Sequence, residues 1–523
     1  MQYLARLTVA VVAASLLLPG SGAVAQSPSP APVVLEPVTE SGYGVSSVVP
    51  AGWKSVGPGL HARGSTATDP TIIAIQSAPL APKDLWPALL PQLKVTQTPT
   101  ATGSRDGTTG LHWVLYHVES PAGVVADIAF AEHTGGTYVV VLESPPAETA
   151  TLREAVFLPA VDAFAPVTSE ASPGASVAPP PYGQEEVTFP GGGAGVTLAG
   201  TLTLPEGDGP FPAIVLVSGS GPQDRDESLA PTAAIKPFAI IADALTRAGI
   251  AVLRFDDRGT AKSTGDYSTG TVPDFTADAA AAVAFLRTRA DVDQAHVGLL
   301  GHSEGGLDVA EIAAADPSIA FVVGMAPPAT DGVDLIVDQN EAILRAAGTS
   351  QAEIALAVAF ARQTFQKVLA GDKAGAEQVI RDYAGAFYDR QTPDARKQLG
   401  DRAAYVQGQV DPRMTALFSK WFVSLLASDA GAAWARVHAP VLGLFGGKDV
   451  QVPAMSQAPA MRAALSQAGN RDVTITIIPD ANHLFQSAKT GSVGEYGSLA
   501  QTFTPEFLPT LVEWVSAHVG VAR

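Results

Sequence analysis

The sequence predicts two units. A small α+β domain is followed, across a proline-rich linker, by an α/β domain with a mostly parallel sheet and a helical insertion. Three observations carry this. From residue 185 onward, continuous apolar runs alternate with helix-period stretches, the pattern of a buried parallel sheet covered on both faces. Residues 40–165 instead show short strands joined by Gly-containing turns. Between residues 331 and 437 the alternation stops and only helical periodicity remains.

A chain of 523 residues has room for two or three domains and a large core. Hydrophobic residues at 46% against 16% charged fit a globular protein and not a disordered one. A net charge of -19 with no offsetting basic patch argues against nucleic acid as partner. With no cysteine, neither a disulfide framework nor a lipid-bearing N-terminal cysteine is available.

Residues 1–25 read as a secretory signal. Arg6 is the positive flank, residues 7–18 the apolar core, and Ala23-Val24-Ala25 the small-residue cleavage site. The core is short for a bilayer span, which needs about 20 residues; an uncleaved anchor is the alternative. Export without disulfides suits the periplasm or the medium of a bacterium. Residues 27–34 form a Ser/Pro-rich lead-in.

Within the first unit, residues 45–49, 71–75, 111–118, 124–130 and 138–142 read as strands, the last three as an antiparallel meander. Residues 84–93 and 149–164 read as helices, the first weakened by Pro87 and Pro91. His112 and His117 differ in strand parity and so face opposite sides, a poor metal pair. With His61 and His133 they read as structural or surface residues. The opening Ser47-Val48-Val49-Pro50-Ala51-Gly52-Trp53 resembles small secreted domains of the PsbP-like class, which implies a binding or packing module. Residues 166–184, with Ala178-Pro179-Pro180-Pro181, form the linker.

In the second unit (185–523), residues 187–189 and 196–204 form a leading hairpin, with Gly191-Gly192-Gly193 as a turn. Residues 213–217, 251–255, 321–325, 441–445 and 473–478 are strands. Residues 235–248 and 274–288 are helices. A last helix has Thr504 as N-cap and Pro505 in its first turn, and buries Phe507, Leu508, Leu511, Trp514 and Val515. In the insertion, 331–437, residues 351–369, 374–388 and 413–427 are helical. Placed after a sheet strand, it would cap the C-terminal edge of the sheet. Its aromatics Phe360, Phe365, Phe387, Tyr388, Trp421 and Phe422 read mainly as its own core.

Chemistry concentrates at Gly301-His302-Ser303-Glu304-Gly305-Gly306, where an apolar strand ends and a helix begins. This is a G-x-S-x-G pattern with the serine at the tip of a tight turn, and its glycines provide space where strand and helix nearly touch. A serine hydroxyl is a weak nucleophile near neutrality and needs a neighbouring base. No phosphate loop or metal spacing accompanies it, so neither a cofactor nor a metal is expected.

Residues 185–523 resemble the α/β-hydrolase superfamily, nearest the secreted bacterial serine esterases marked by Ser218-Gly219-Ser220-Gly221-Pro222-Gln223-Asp224-Arg225-Asp226. The resemblance implies a triad in the order serine, acid, histidine. Ser303 is then the nucleophile. His483, in the loop after residues 473–478, is the base, while His518 falls in the last helix and His302 points elsewhere. Asp449, directly after the strand 441–445, is the acid, with Asp480 as rival. The backbone amides of Glu304 and, by resemblance, Ser220 form the oxyanion hole. The family often has His-Gly where this chain has Ser218-Gly219. Gln223, Asp224, Arg225 and Asp226 rim the site or pair internally, and Asp256-Asp257-Arg258-Gly259 shapes the pocket floor through an Asp–Arg network.

The implied function is a serine hydrolase of carboxylesterase type acting on small ester substrates. The alternatives are a serine peptidase or amidase, and a cell-envelope-binding protein with an accessory hydrolase domain. Serine at the nucleophile position argues against a dehalogenase, and a complete triad set argues against a dead scaffold. A histidine base takes up its proton near about pH 6.5, so activity is expected to fall on the acid side.

Overall fold

A computed structural model of the chain describes residues 33–40, 43–57, 59–63, 69, 71–78, 81–93, 95, 97–120, 124–133, 136–167, 180–229 and 233–520. The expected signal, most of the lead-in, the core of the linker and the 121–123 turn lie outside the described residues.

The first domain holds two sheets. β1 (Leu35–Glu40) pairs antiparallel with β2 (Val45–Pro50), which also pairs with β10 (Ala165–Pro166). The larger antiparallel sheet has seven strands: β3 (Lys54–Gly57), β4 (Leu60–Ala62), β5 (Ile72–Ala78), β6 (Gly103–Asp106), β7 (His112–Ser120), β8 (Val124–His133) and β9 (Gly136–Ser144). Their spatial order is β3-β4-β5-β9-β8-β7-β6, so the expected meander β7-β8-β9 is present. Strand alternation gives both faces an apolar set. Helix α1 (Pro82–Gln92) packs its Leu85 and Trp86 with Val118, Ile128 and Phe130. Helix α2 is built of Thr149–Leu152, a π turn Arg153–Phe157 and Leu158–Ala163, and packs its Val156, Phe157 and Val161 with Trp113, Val140 and Phe164.

Strands β1, β3, β4, β6 and β10 carry no apolar run that periodicity could detect, so they were not among those expected. Because β1 and β10 belong to this sheet system, the domain runs from Leu35 to Pro166, slightly wider than 40–165. The histidines here have local partners. His61 meets Glu40 at 2.7 Å, exposed His112 meets Asp106 at 2.7 Å, and His117 meets Asp127 at 2.8 Å.

The second domain is organised on one eight-stranded sheet: β11 (Gly183–Pro190), β12 (Thr197–Leu204), β13 (Phe211–Val217), β14 (Ala251–Phe255), β15 (Val292–His302), β16 (Val322–Met325), β17 (Val441–Gly446) and β18 (Val473–Ile478). The order is β11-β12-β14-β13-β15-β16-β17-β18. β11, β12 and β14 pair antiparallel, and all later pairs are parallel. The leading hairpin turns on Gly192, where a Cβ would lie 2.4 Å from the Ala277 backbone. Helices α3 (Pro237–Arg247), α4 (Val272–Leu286) and α5 (Glu304–Ala315) follow successive strands. Thr271 and Asp274 close a capping box on α4.

The insertion after β16 holds α6 (Gly332–Ala346), α7 (Gln351–Leu369), α8 (Lys373–Arg390), α9 (Pro393–Leu399), α10 (Arg402–Leu417), α11 (Lys420–Leu426) and α12 (Ala430–Trp434). The helix expected over 413–427 is in fact two. Ser419 ends the first and caps the second, its hydroxyl accepting the Phe422 N–H. Phe360, Phe365, Phe387 and Phe422 are buried as the insertion's own core, as expected.

Helix α13 (Ala454–Gln467) and the terminal α14 (Phe507–Val519) complete the layers. Thr504 is not the N-cap of α14, which begins after Glu506. The Thr504 N–H donates to the Phe485 carbonyl at 2.7 Å and its carbonyl accepts the Phe507 N–H at 3.2 Å, while its buried hydroxyl caps no amide among the described residues. Phe507, Leu511 and Val515 are buried, while Leu508 and Trp514 are half-buried.

Candidate active site

Ser303 lies between β15 and α5 with φ 55° and ψ -122°, a backbone conformation that costs a non-glycine residue about 1–3 kcal/mol. The flanking glycines have a steric cause. A Cβ on Gly301 would sit 2.0 Å from the Gly305 carbonyl oxygen, and one on Gly305 would sit 2.4 Å from the Val217 oxygen. On Gly306 it would meet the Pro327 Cβ at 2.6 Å. The Ser303 N–H donates to the Met325 carbonyl at 2.9 Å, which fastens the turn to β16. Ser303 Oγ makes no hydrogen bond among the described residues.

Asp449 follows β17 and His483 follows β18, so both stand at the sheet end that carries Ser303. His483 Nδ1 is 2.8 Å from Asp449 Oδ2, and the Asp449 side chain is fully buried. Asp449 Oδ1 accepts the Gln451 and Val452 amides at 2.7 and 2.9 Å. Three hydrogen bonds thus fix this carboxylate, and the imidazole is aimed by a held partner. Asp480, the rival, is 75% exposed and pairs with Lys448 Nζ at 2.9 Å, away from the imidazole. His518 bonds the Trp514 carbonyl at 2.7 Å within α14.

The 218–223 turn after β13 runs beside Ser303. A Cβ on Gly219 would lie 3.0 Å from the Ser303 Cβ, so only glycine lets the two segments approach this closely. Side chains hold the turn almost atom by atom. Gly219 N–H donates to Glu227 Oε1 at 2.9 Å, Gly221 N–H to the Tyr267 hydroxyl at 2.7 Å, and Gln223 N–H to Asp257 Oδ2 at 2.8 Å. The Ser218 hydroxyl donates to Asp257 Oδ1 at 2.9 Å. The Ser220 amide has no such partner among the described residues, and neither has the Glu304 amide at the first position of α5.

Behind the turn is a cavity of ≈ 20 Å³ lined by Asp257, Tyr267, Glu304 and Asp308 among others. Glu304 accepts the Ser220 hydroxyl at 2.5 Å and, from the insertion, the Trp421 indole N–H at 3.1 and 2.9 Å. Burial pushes the Glu304 carboxyl above its usual range, and burial pushes Asp257 and Asp308 well above theirs. Thr276 Oγ1 donates to Asp308 Oδ1 at 2.5 Å and also lies 3.0 Å from the Val272 carbonyl, and its bond to the carboxylate opposes the effect of burial without cancelling it.

The remaining motifs divide. Arg225 pairs with Asp256 at 2.8 Å and Glu186 at 2.9 Å, and Asp226 pairs with Arg254 at 2.8 Å, the internal ion pairs expected of this stretch. Arg258 pairs with Asp278 at 2.6 Å. Asp257 departs from the expected Asp–Arg network, since it holds the 218–223 turn and no arginine. His302 points away from the Ser303 hydroxyl, in line with expectation, but its ring is fully engaged. Its Nε2 lies 3.0 Å from the His483 carbonyl and its Nδ1 lies 2.8 Å from Glu227 Oε1. Glu227, Tyr267 and Trp421 complete the surroundings without any local motif that would have marked them. Among the described residues no group of three His, Cys, Asp or Glu forms a metal site, and no helix is long and apolar enough to cross a membrane.

The profile of the serine aminopeptidase family S33 matches residues 234–487, a span that contains Ser303, Asp449 and His483. The esterase EstD of Thermotoga maritima is 29% identical over 313 residues, 60% of this chain, and the chain spans 62% of that relative's length. Among solved structures, the esterase PF2001 of Pyrococcus furiosus aligns with 65% of this chain and 92% of its own, at 15% identity and a TM-score of 0.39. The α/β hydrolase GrgF of a Penicillium species aligns with 65% and 99%, at 15% identity and a TM-score of 0.39.

Proposed function

We propose that this chain, whose residues 183–520 carry the α/β-hydrolase fold, is a serine hydrolase that cleaves carboxylic esters through an acyl-enzyme. The carrying observation is the Asp449–His483 pair. One carboxylate oxygen engages Nδ1 and the other is held by two amides, which leaves Nε2 to take a proton.

In this reading Ser303 Oγ attacks the substrate carbonyl while its proton passes to His483 Nε2. The carbonyl oxygen gains the negative charge and lies against the Ser220 and Glu304 amides, each worth ~3 kcal/mol at that stage. Asp449 stabilises the imidazolium, which then protonates the departing alkoxide. Water repeats the sequence on the acyl group, giving its proton to His483 and releasing the acid and Ser303. The Ser303–His483 hydrogen bond belongs to the substrate complex, since such bonds commonly tighten only there.

The S33 match supports a second reading, a peptidase or amidase with the same residues. A matched ester and anilide separate the two. The ester should turn over faster, and Ser303→Ala should abolish both its hydrolysis and labelling by a fluorophosphonate. Faster anilide turnover would favour the second reading, and labelling retained by the variant would refute the site. We also read residues 1–25 as an export signal and the N-terminal domain as a module for a cell-envelope partner. Recovery of secreted protein beginning at Gln26, and envelope pull-down that depends on this domain, are the corresponding tests.

A further inference from the structure

Next to the Asp449–His483 pair lies a second carboxylate–imidazole pair, Glu227–His302. Glu227 is 1% exposed and His302 4% exposed, and Glu227 has φ 54°, a left-handed conformation unusual for a side chain of its size. One oxygen, Glu227 Oε1, meets both the Gly219 N–H at 2.9 Å and His302 Nδ1 at 2.8 Å. The other ring nitrogen of His302 meets the His483 carbonyl at 3.0 Å, and the two rings have centroids 4.7 Å apart. A strained, buried residue therefore links the turn beside Ser303, the residue preceding Ser303 and the backbone of His483.

We infer that Glu227 and His302 are positioning residues that lock the oxyanion turn and the His483 loop in register around Ser303, with His302 held as an imidazolium. The inference rests on the hydrolase reading above. The proton count follows from the partners. A carbonyl can only accept, so His302 Nε2 carries a proton, and an ionised Glu227 can likewise only accept, so Nδ1 donates to its Oε1 as well. Burial works against the charged ring, but the Glu227 carboxylate beside it wins and holds the His302 pKa above its ordinary value. Neither residue touches substrate; they act through the Gly219 amide and the His483 main chain.

The shared oxygen makes Glu227→Gln an informative, isosteric change. At the place of Oε1 the amide presents either oxygen, which suits Gly219 N–H, or NH2, which suits a neutral His302 Nδ1. It cannot present both, so one link breaks while the packing stays. When His302 carries both protons, the amide oxygen can accept from both donors again. The charged or titratable groups facing His302 are Glu227, His483 and Asp449.

The experiment compares wild type, E227Q, H302A and S303A on p-nitrophenyl acetate between pH 5.5 and 8.5, with thermal unfolding as the check of fold. At pH 8 we expect kcat of E227Q and H302A to fall by about 10- to 100-fold, as a small misplacement of reacting groups produces, with KM nearly unchanged. The E227Q-to-wild-type ratio should rise toward low pH. Folded E227Q with wild-type kcat, or a loss confined to KM, overturns the positioning role. On the wild type itself, 15N-histidine spectra at pH 8 must retain a ring with both nitrogens protonated; their showing none overturns it even if the variants do not fold. A wild type that neither turns over the ester nor is labelled at Ser303 brings down the hydrolase reading, and the pair's role with it.

Discussion

Asp449→Asn tests the site at its most constrained atom. Asp449 Oδ1 accepts two amide protons, from Gln451 at 2.7 Å and Val452 at 2.9 Å, and Oδ2 faces His483 Nδ1 at 2.8 Å. In asparagine the single oxygen must stay with the two amides, because turning the NH2 toward them would oppose donors to donors. The NH2 then faces His483 Nδ1, which must become the acceptor, so the ring proton moves to Nε2. The nitrogen that should receive the Ser303 proton is thereby already protonated. A wrong tautomer of this kind costs about 10⁴ in kcat, or about 5.4 kcal/mol of barrier at 1.36 kcal/mol per decade. Every hydrogen bond is remade, so stability should change by no more than ~1 kcal/mol. Steady-state turnover of p-nitrophenyl acetate and urea unfolding of the same preparations give the two numbers. A drop below tenfold, with the fold intact, would refute the assignment of Asp449 as orienting acid.

Other predictions follow from single contacts. Gly301→Ala places a Cβ 2.0 Å from the Gly305 carbonyl oxygen, and should cost ~3 kcal/mol or more in urea unfolding; an unchanged midpoint would mean the turn is not this tight. Trp421→Phe removes the indole N–H from Glu304 and should destabilise by about 1 kcal/mol while opening the insertion to limited proteolysis. Asp308→Asn replaces a buried carboxyl, which accepts the Thr276 hydroxyl at 2.5 Å, with an amide that cannot ionise. Because burial raises the Asp308 pKa in the folded state, its contribution is full below the unfolded value and is lost as pH rises through the folded one. The melting temperature of the variant should therefore gain on the parent by a few degrees, about 2–4 °C per kcal/mol, between pH 5 and pH 8. A gap that narrows would mean that burial does not raise the Asp308 pKa.

Much of this molecule can be read along the chain because its signals are local. Buried parallel strands are continuous apolar runs, helices keep their period, and the elbow at Ser303 needs glycines on both sides for steric reasons within a few residues. Asp449 is legible as a carboxylate set directly after a buried strand, and His483 as a histidine in the loop after the last strand. The Ser218-to-Asp226 stretch likewise marks its own turn. The sequence by itself therefore determined the two-domain order, the α/β class and the set of candidate side chains.

Contacts between distant segments are invisible to such reading. Of the two candidate carboxylates, Asp449 faces the His483 ring at 2.8 Å, whereas Asp480 is exposed and pairs with Lys448. Asp257 looks like an ion-pair partner of its neighbouring arginine, yet it secures the 218–223 turn, because burial against that turn's N–H and hydroxyl groups satisfies it better than local pairing does. His302 looks incidental beside Ser303 until β18 brings His483, 181 residues later, within 3.0 Å of its ring. Local propensity names the parts. The burial of polar groups, each of which must find a partner wherever the fold supplies one, decided how those parts meet.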